Sequence, residues 1–418
     1  MSDSQIPAAS APPAPKPSRL VRRVASLGAV LAIVWAAWSA SGEIRGGFHL
    51  RAAAEAIEAR DFEAARLLLA KARAVWPRDA SLQLLEARTA RRDGRYPDAA
   101  LELDAARRLG ASGTDTLLEG QLLAVETSGM ADMETKLRER QKAAPADYVL
   151  IAEVLSAEFM RTYRLADARG QLNGWIERRP DDFEAYLRRG WVAERQLDFP
   201  AAVADYRRVI EIRPERDPVR LRLAELLVQT SRASDAVPLL ADLHGRRPTD
   251  VGVVLAWVRC RRELGELSEA ASVLAEYAAA GGEENAELIG EKGRLALQSG
   301  DLEAAERTLR DANRRAPANR TILYNLQMCL SRRGRTVEAT ELVKTLKTLD
   351  DDTGRMGEIV QEVGRKPSDA ALRSEGGIIF LRNGLTEDGL RWLGMALEFD
   401  PGHQPAHRAL AEHYENRL

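Results

Sequence analysis

Cysteine is almost missing from this sequence: Cys260 and Cys329 are the only two among 418 residues. A dense disulfide framework, the device that staples small secreted domains, is therefore excluded. Histidine is equally sparse, with five. His403, His407 and His413 gather near the C-terminus, but Pro405 marks a helix start between the first two and His413 faces elsewhere. No thiol or carboxylate completes a ligand set, so no metal is expected. Aromatic residues are few, and the formal net charge is only −2. A nucleic-acid binder would carry a clearly basic balance, so that class of partner is not expected either. Catalytic motifs are missing too: no GxGxxG or GxxxxGK[ST] loop, no HExxH, CxxC, EF-hand loop or GxSxG elbow. Carboxylates are plentiful, but on open helical faces they lack the water-excluding pocket that shifts catalytic pKa values. The chain reads as a non-enzyme with no cofactor and no small-molecule substrate.

Repetition is what the sequence does have. From Phe183 to Pro248 the same unit is written twice. Gly190 and Ala224 are small residues on first helices, Ala202 and Ala236 are small residues on second helices, and Pro214 and Pro248 close the units. The members of each pair stand one constant period apart. Large apolar residues surround the small ones at helical spacing: Tyr186, Trp191, Val192, Tyr206, Val209 and Ile210. The grid extends along the chain. First-helix slots hold Ala53, Ala87, Ser156, Gly293, Gly377 and Ala411; second-helix slots hold Ala65, Ala99, Ala168, Ala270, Ala305, Ala339 and Gly389. Further closing prolines stand at Pro77, Pro145, Pro180, Pro317 and Pro401. Small residues let paired helices approach, and proline stops the second helix. This grid resembles the tetratricopeptide repeat, and a fixed period of about 34 residues marks a helical solenoid of that kind. The resemblance implies an all-α fold, a right-handed α-solenoid of helix-turn-helix units, in a membrane-anchored bacterial member of that family.

Repeats are expected at 46–79, 80–113, 114–147, 148–182, 183–216, 217–250, 251–285, 286–319 and 320–352, with a final repeat at 370–403 and a capping helix to 418. The third is the poorest match, with Gln121 and Met133 in its small slots. Residues 353–369 exceed the period, and Met356, Ile359, Val360 and Val363 predict an extra unpaired spacer helix there. Cys260 and Cys329 fall at equivalent places on first helices two repeats apart, beyond disulfide reach.

Residues 1–23 form a Pro/Ala-rich tail ending in a basic flank, Lys16, Arg19, Arg22 and Arg23. Val24 to Gly42 carries no charged side chain. As a helix it spans about 28 Å, the thickness of a bilayer core. It is expected to be a transmembrane anchor, or alternatively a cleaved signal peptide. The positive flank keeps the N-terminus in the cytoplasm and places the repeats outside a bacterial inner membrane, in the periplasm or its equivalent.

The resemblance further implies that first helices line a concave groove that takes a protein or peptide partner. Residues expected there are Leu187, Trp191, Arg195, Leu221, Glu225, Arg259, Arg262, Arg294, Tyr324, Met328 and Arg332. Trp, Tyr and Arg are common binding hot spots, although Trp191 beside a small slot serves equally as inter-repeat core. The arginines at 259, 262 and 294 either attract an acidic segment or are neutralised by Glu263 and Glu291. The lysine/asparagine/arginine set with which some relatives clamp a carboxylate is incomplete: Asn325 sits near one position, but Gly290 occupies another. Two roles fit: an extracytoplasmic interaction scaffold, or an accessory non-catalytic subunit of an envelope machine for polysaccharide export or cytochrome maturation.

Overall fold

The computed structural model describes residues 44–415, apart from residue 58 and residues 131–132. The expected tail and the apolar segment 24–42 lie outside the described residues. Among the described residues no helix is long and apolar enough to cross a membrane, and there is no strand.

The chain is a series of helical hairpins. In order they are α1 (44–57) with α2 (Phe62–Val75), α3 (Ala80–Arg92) with α4 (Tyr96–Arg108), α5 (Gly113–Ser128) and α6 (Met133–Ala143). There follow α7 (Tyr148–Arg161) with α8 (Leu165–Arg178), α9 (Phe183–Arg195) with α10 (Phe199–Ile212), and α11 (Asp217–Gln229) with α12 (Ala233–Arg246). Next come α13 (Val251–Glu263) with α14 (Leu267–Ala279), α15 (Ala286–Gln298) with α16 (Leu302–Arg315), α17 (Arg320–Arg332) with α18 (Thr336–Arg365), and α19 (Ala370–Arg382) with α20 (Thr386–Phe399). The last helix is α21 (Gln404–Glu415).

Local chemistry sets these boundaries. Asp79, Asp182, Asp250, Asn319 and Asp369 cap first helices by accepting backbone N–H bonds. Second helices end just before a proline: Arg178 before Pro180, Ile212 before Pro214, Arg246 before Pro248, Arg315 before Pro317. The intervening residue is pushed out of helical geometry, as at Arg213 with φ −134 and ψ 78. The turn inside each hairpin needs one left-handed residue. Glycine supplies it at Gly94, Gly265, Gly300, Gly334 and Gly384, whereas Tyr163, Leu197 and Ser231 adopt it elsewhere.

The small slots are sites of close approach. A Cβ on Gly190 would stand 2.7 Å from the Tyr206 ring, one on Gly293 2.6 Å from Leu309, and one on Gly377 2.8 Å from Leu393. Each of these contacts joins the two helices of one hairpin. The alanine slots Ala65, Ala87, Ala168, Ala202, Ala224, Ala236, Ala270 and Ala305 are all buried.

The chain divides into two compact units after Gly129, within the third expected repeat, whose small slots hold Gln121 and Met133. Each unit has its own core. In the second, α9 to α15 share one apolar cluster built on Phe183, Tyr206, Leu223, Leu240, Trp257 and Leu274.

One sequence expectation fails here. Residues 353–369 do not hold a separate spacer helix: α18 runs unbroken for 30 residues from Thr336 to Arg365. No proline stands between Pro317 and Pro367, and Gly354 and Gly357 do not terminate a helix whose neighbours keep their i−4 bonds. Its second half buries Ile359 and Val363 against Leu372, Ile379, Trp392 and Tyr163.

Charged residues make a second grid. In the first unit, Arg91 on α3 donates to buried Glu119 on α5 at 2.5 Å. In the second, Arg262 on α13 meets buried Glu291 on α15 at 3.3 Å. Between α9 and α11 the same two positions carry the opposite signs: Arg222 donates to Glu194 at 2.9 Å. Glu194 also accepts from the Tyr206 hydroxyl at 2.5 Å, and burial together with that bond pushes the Tyr206 phenol up. Both cysteines are free and buried. Each thiol donates to a carbonyl of the preceding repeat, Cys260 to Ala233 at 3.3 Å and Cys329 to Leu302 at 3.4 Å.

Candidate interaction groove

Four first helices in succession, α11, α13, α15 and α17, present side chains to one hollow of about 690 Å³. Helical hairpins stacked in one sense place their first helices side by side, which is why the lining recurs at the repeat period. Glu225, Arg259, Arg262 and Arg294 all line it, together with Glu287, Gly290, Glu291, Thr321 and Asn325.

Its electrostatics rest on Glu291, which is buried. Arg259 reaches Glu291 at 2.9 Å and Glu287 at 2.8 Å. Arg262, also buried, holds Glu291 at 3.3 Å and Glu263 at 2.9 Å. Against the pull of burial, Glu291 and Glu287 keep Arg259 above its ordinary range. Two of the three arginines are thus internally neutralised. Arg294 differs: its nearest carboxylate is Glu263, at 4.0 Å. Burial, with Arg262 nearby, pulls its guanidinium below the ordinary value. A partly buried cation without a close counter-ion is the group in this hollow that gains most from an incoming carboxylate or carbonyl.

Beside it the hollow continues into a second one of about 600 Å³, lined by α17 and the first half of α18. Arg294, Thr321 and Asn325 belong to both. Tyr324, exposed, lines the second, with Val343 and Leu346 opposite. Asn325 donates to the Thr321 carbonyl at 2.8 Å, leaving its amide oxygen available. Gly290 keeps the floor open: a Cβ there would press on Ile322 at 3.0 Å.

The other expected residues are elsewhere. Leu187 and Leu221 pack against the central apolar cluster, and Met328 against the cluster of α15 to α18. Trp191 stacks edge-on to Tyr163 at 6.2 Å and carries the Arg195 guanidinium over its face at 4.7 Å. Arg195 lines a separate cavity. Arg332 donates to the Leu297 carbonyl at 3.3 Å. Among the described residues no group of three or more His, Cys, Asp or Glu is placed to hold a metal ion.

Stacked hairpins of fixed period whose first helices share one lined hollow define an α-helical repeat protein. Three stretches, residues 50–114, 158–217 and 291–352, match the family model of the tetratricopeptide repeat. Repeats of this kind serve protein–protein contact and are as a class non-catalytic. No curated protein matches the chain. Solved structures similar to it include a tetratricopeptide repeat protein from Parabacteroides merdae, at 16% identity over 68% of this chain and 99% of that one, TM-score 0.34. Human IFIT1, solved with m7Gppp-AAAA, matches at 13% identity over 76% and 90%, TM-score 0.37. MamA from Desulfovibrio magneticus matches at 15% identity over 49% and 96%, TM-score 0.29. At such scores nothing that those proteins bind is carried over.

Proposed function

We propose that this chain is a membrane-anchored, extracytoplasmic scaffold that holds an extended peptide segment of a partner protein in the hollow lined by α11, α13, α15 and α17. The observation that carries the reading is Arg294. Among the described residues it is the one arginine of the hollow with no carboxylate closer than 4.0 Å, and Asn325, Thr321 and the exposed Tyr324 ring stand around it. An extended peptide offers what this set lacks: an acidic or carbonyl oxygen for Arg294, an amide proton for the Asn325 oxygen, and side chains for the Tyr324 face. The uncharged run 24–42 behind a basic flank supports the anchor and its orientation.

A photo-crosslinking amino acid at the exposed Thr321 tests the groove in cells. A discrete adduct that Arg294→Ala diminishes supports the reading; an adduct indifferent to that change sinks it. Alkaline phosphatase fused to the C-terminus tests the anchor separately: it is active if the repeats are exported and inactive if they stay in the cytoplasm.

A further inference from the structure

A cavity of about 850 Å³ in the second unit lies outside the groove. It is found where the α7–α8 and α9–α10 turns face the second half of α18 and the α19–α20 turn. No lining residue is shared with the hollow around Arg294.

Its floor is one ridge of α18. Thr353, Gly357, Val360 and Gly364 follow at steps of four and three, so they lie along one face. Glycine in a helix interior is unfavourable unless something requires a missing side chain. At Gly190 or Gly377 the requirement is visible, since a Cβ would strike the neighbouring helix. At Gly357 and Gly364 a Cβ would meet nothing within 4 Å. The same is true of Gly170, Gly245, Gly354 and Gly394, but Gly357 and Gly364 are the ones that line the cavity, where they open the ridge to a backbone from outside.

The rim is apolar and raised. Tyr163 and Leu197 occupy left-handed turn positions, φ 56 and 59, that glycine fills in five other hairpins. Tyr163 is accounted for: its ring is buried against Trp392 at 5.0 Å. Leu197 is 74% exposed and Leu385, across the cavity, 50%. A strained turn that holds a leucine in water points to a use outside the molecule.

Charge at the rim is one-sided. Asp167 is taken by Arg164 at 2.7 Å and Arg138 at 3.0 Å, and Asp388 by Arg391. Arg195 has no ion-pair partner among the described residues, and its guanidinium rests over the Trp191 ring. The cavity therefore presents an apolar trough with one fixed positive charge at its edge.

We propose that this trough docks an amphipathic α-helix of a partner protein, its apolar face laid along α18 with an acidic side chain at Arg195. A small apolar molecule would fill the floor and leave Leu197 and Leu385 in water. A helix crossing Gly357 and Gly364 covers both, and glycine is what lets two helix backbones approach closely. This site stands apart from the groove of the proposed function, so either can fail alone.

The test is a phage-displayed library of helical 16-mers, randomised on one face and panned against the full chain. Four targets run in parallel: wild type, Gly357→Leu, Leu197→Gly and Arg294→Ala. Gly357→Leu fills the trough at a position open to solvent and favours helix, so it folds, which a thermal melt verifies. The expected result is enrichment of helices with an apolar stripe and a flanking Asp or Glu. These should bind Gly357→Leu at least tenfold more weakly, Leu197→Gly measurably more weakly, and Arg294→Ala unchanged. No enrichment, or binders that ignore Gly357→Leu, overturns the proposal. Binders lost only on Arg294→Ala belong to the groove and overturn it as well.

Discussion

Gly190→Ala and Gly394→Ala are the same change in helix interiors, and the structure gives them opposite signs. Alanine is favoured over glycine in a helix by about 1 kcal/mol. At Gly394 nothing lies within 4 Å of the new Cβ, so most of that gain appears, about 0.5–1 kcal/mol. At Gly190 the Cβ would sit 2.7 Å from the Tyr206 ring, about 1 Å inside ordinary carbon–carbon contact. The ring has nowhere to retreat. It is buried, and its hydroxyl is tied to Glu194 at 2.5 Å. Overpacking of this kind destabilises by about 1–3 kcal/mol, and straining the hydrogen bond adds about 1. The propensity gain offsets only part, leaving Gly190→Ala less stable by about 1–3 kcal/mol on these figures. Urea unfolding followed by circular dichroism at the helical band reads both variants at unchanged slope. Placing Gly190→Ala in a Tyr206→Ala background should turn its sign favourable, because the clashing ring is gone. If Gly190→Ala stabilises the otherwise native chain as Gly394→Ala does, the close-approach account of the small slots is wrong.

Asp79→Ala should destabilise the first unit by about 1 kcal/mol at neutral pH, through loss of the α3 cap. The Ser81 hydroxyl and the Leu82 and Ser81 amides hold the Asp79 carboxyl below the usual carboxylate range. A depressed folded value means its stabilisation is complete above the unfolded pKa, near 4, and fades as the pH falls through the folded one. The gap between wild type and Asp79→Ala should thus narrow in urea titrations at about pH 3. Glu291→Ala strips the carboxylate from Arg259 and from buried Arg262, and should cost about 3 kcal/mol in the same assay. Burial pushes the Cys260 thiol up to about 11 and raises Cys329 as well. Ellman's reagent at mildly alkaline pH should therefore react with neither until denaturant is added; a fast native reaction would contradict their packing.

Much of the architecture was legible because it is written in steric exclusions. A residue lacking bulk at the same two places in unit after unit, with a proline closing most of them, admits few structures other than stacked hairpins. The course of α18 shows the limit. The periodic apolar residues 356–363 do mark helix, but the period alone places a break at 353, where nothing in the chain breaks a helix. Of the candidate residues, Glu225, Arg259, Arg262 and Arg294 do share one hollow, since equivalent positions on successive first helices align. Their spacing could not reveal that Glu291 silences two of the arginines and not the third. Trp191 and Arg195 read as groove residues because no local pattern shows that the α7–α8 turn meets α20, far along the chain. One signal was available: Tyr163 and Leu197 stand where sister hairpins have glycine.

The charge pairs between successive first helices bear on how the array is kept in order. Glu194 faces Arg222, whereas the corresponding positions read Arg262 facing Glu291 and Arg91 facing Glu119. Exchanging the α9–α10 hairpin with the one before either of the other two junctions would set like signs against each other, Glu194 against Glu291 or Glu119 and Arg262 or Arg91 against Arg222. Those exchanged stackings are thereby penalised, since a buried charge left against one of its own sign is costly. The modules are alike in outline, but the α9–α10 hairpin is keyed to the one that follows it, so exchanging it with the hairpin before either of the other two junctions would require rewriting the charge at that edge.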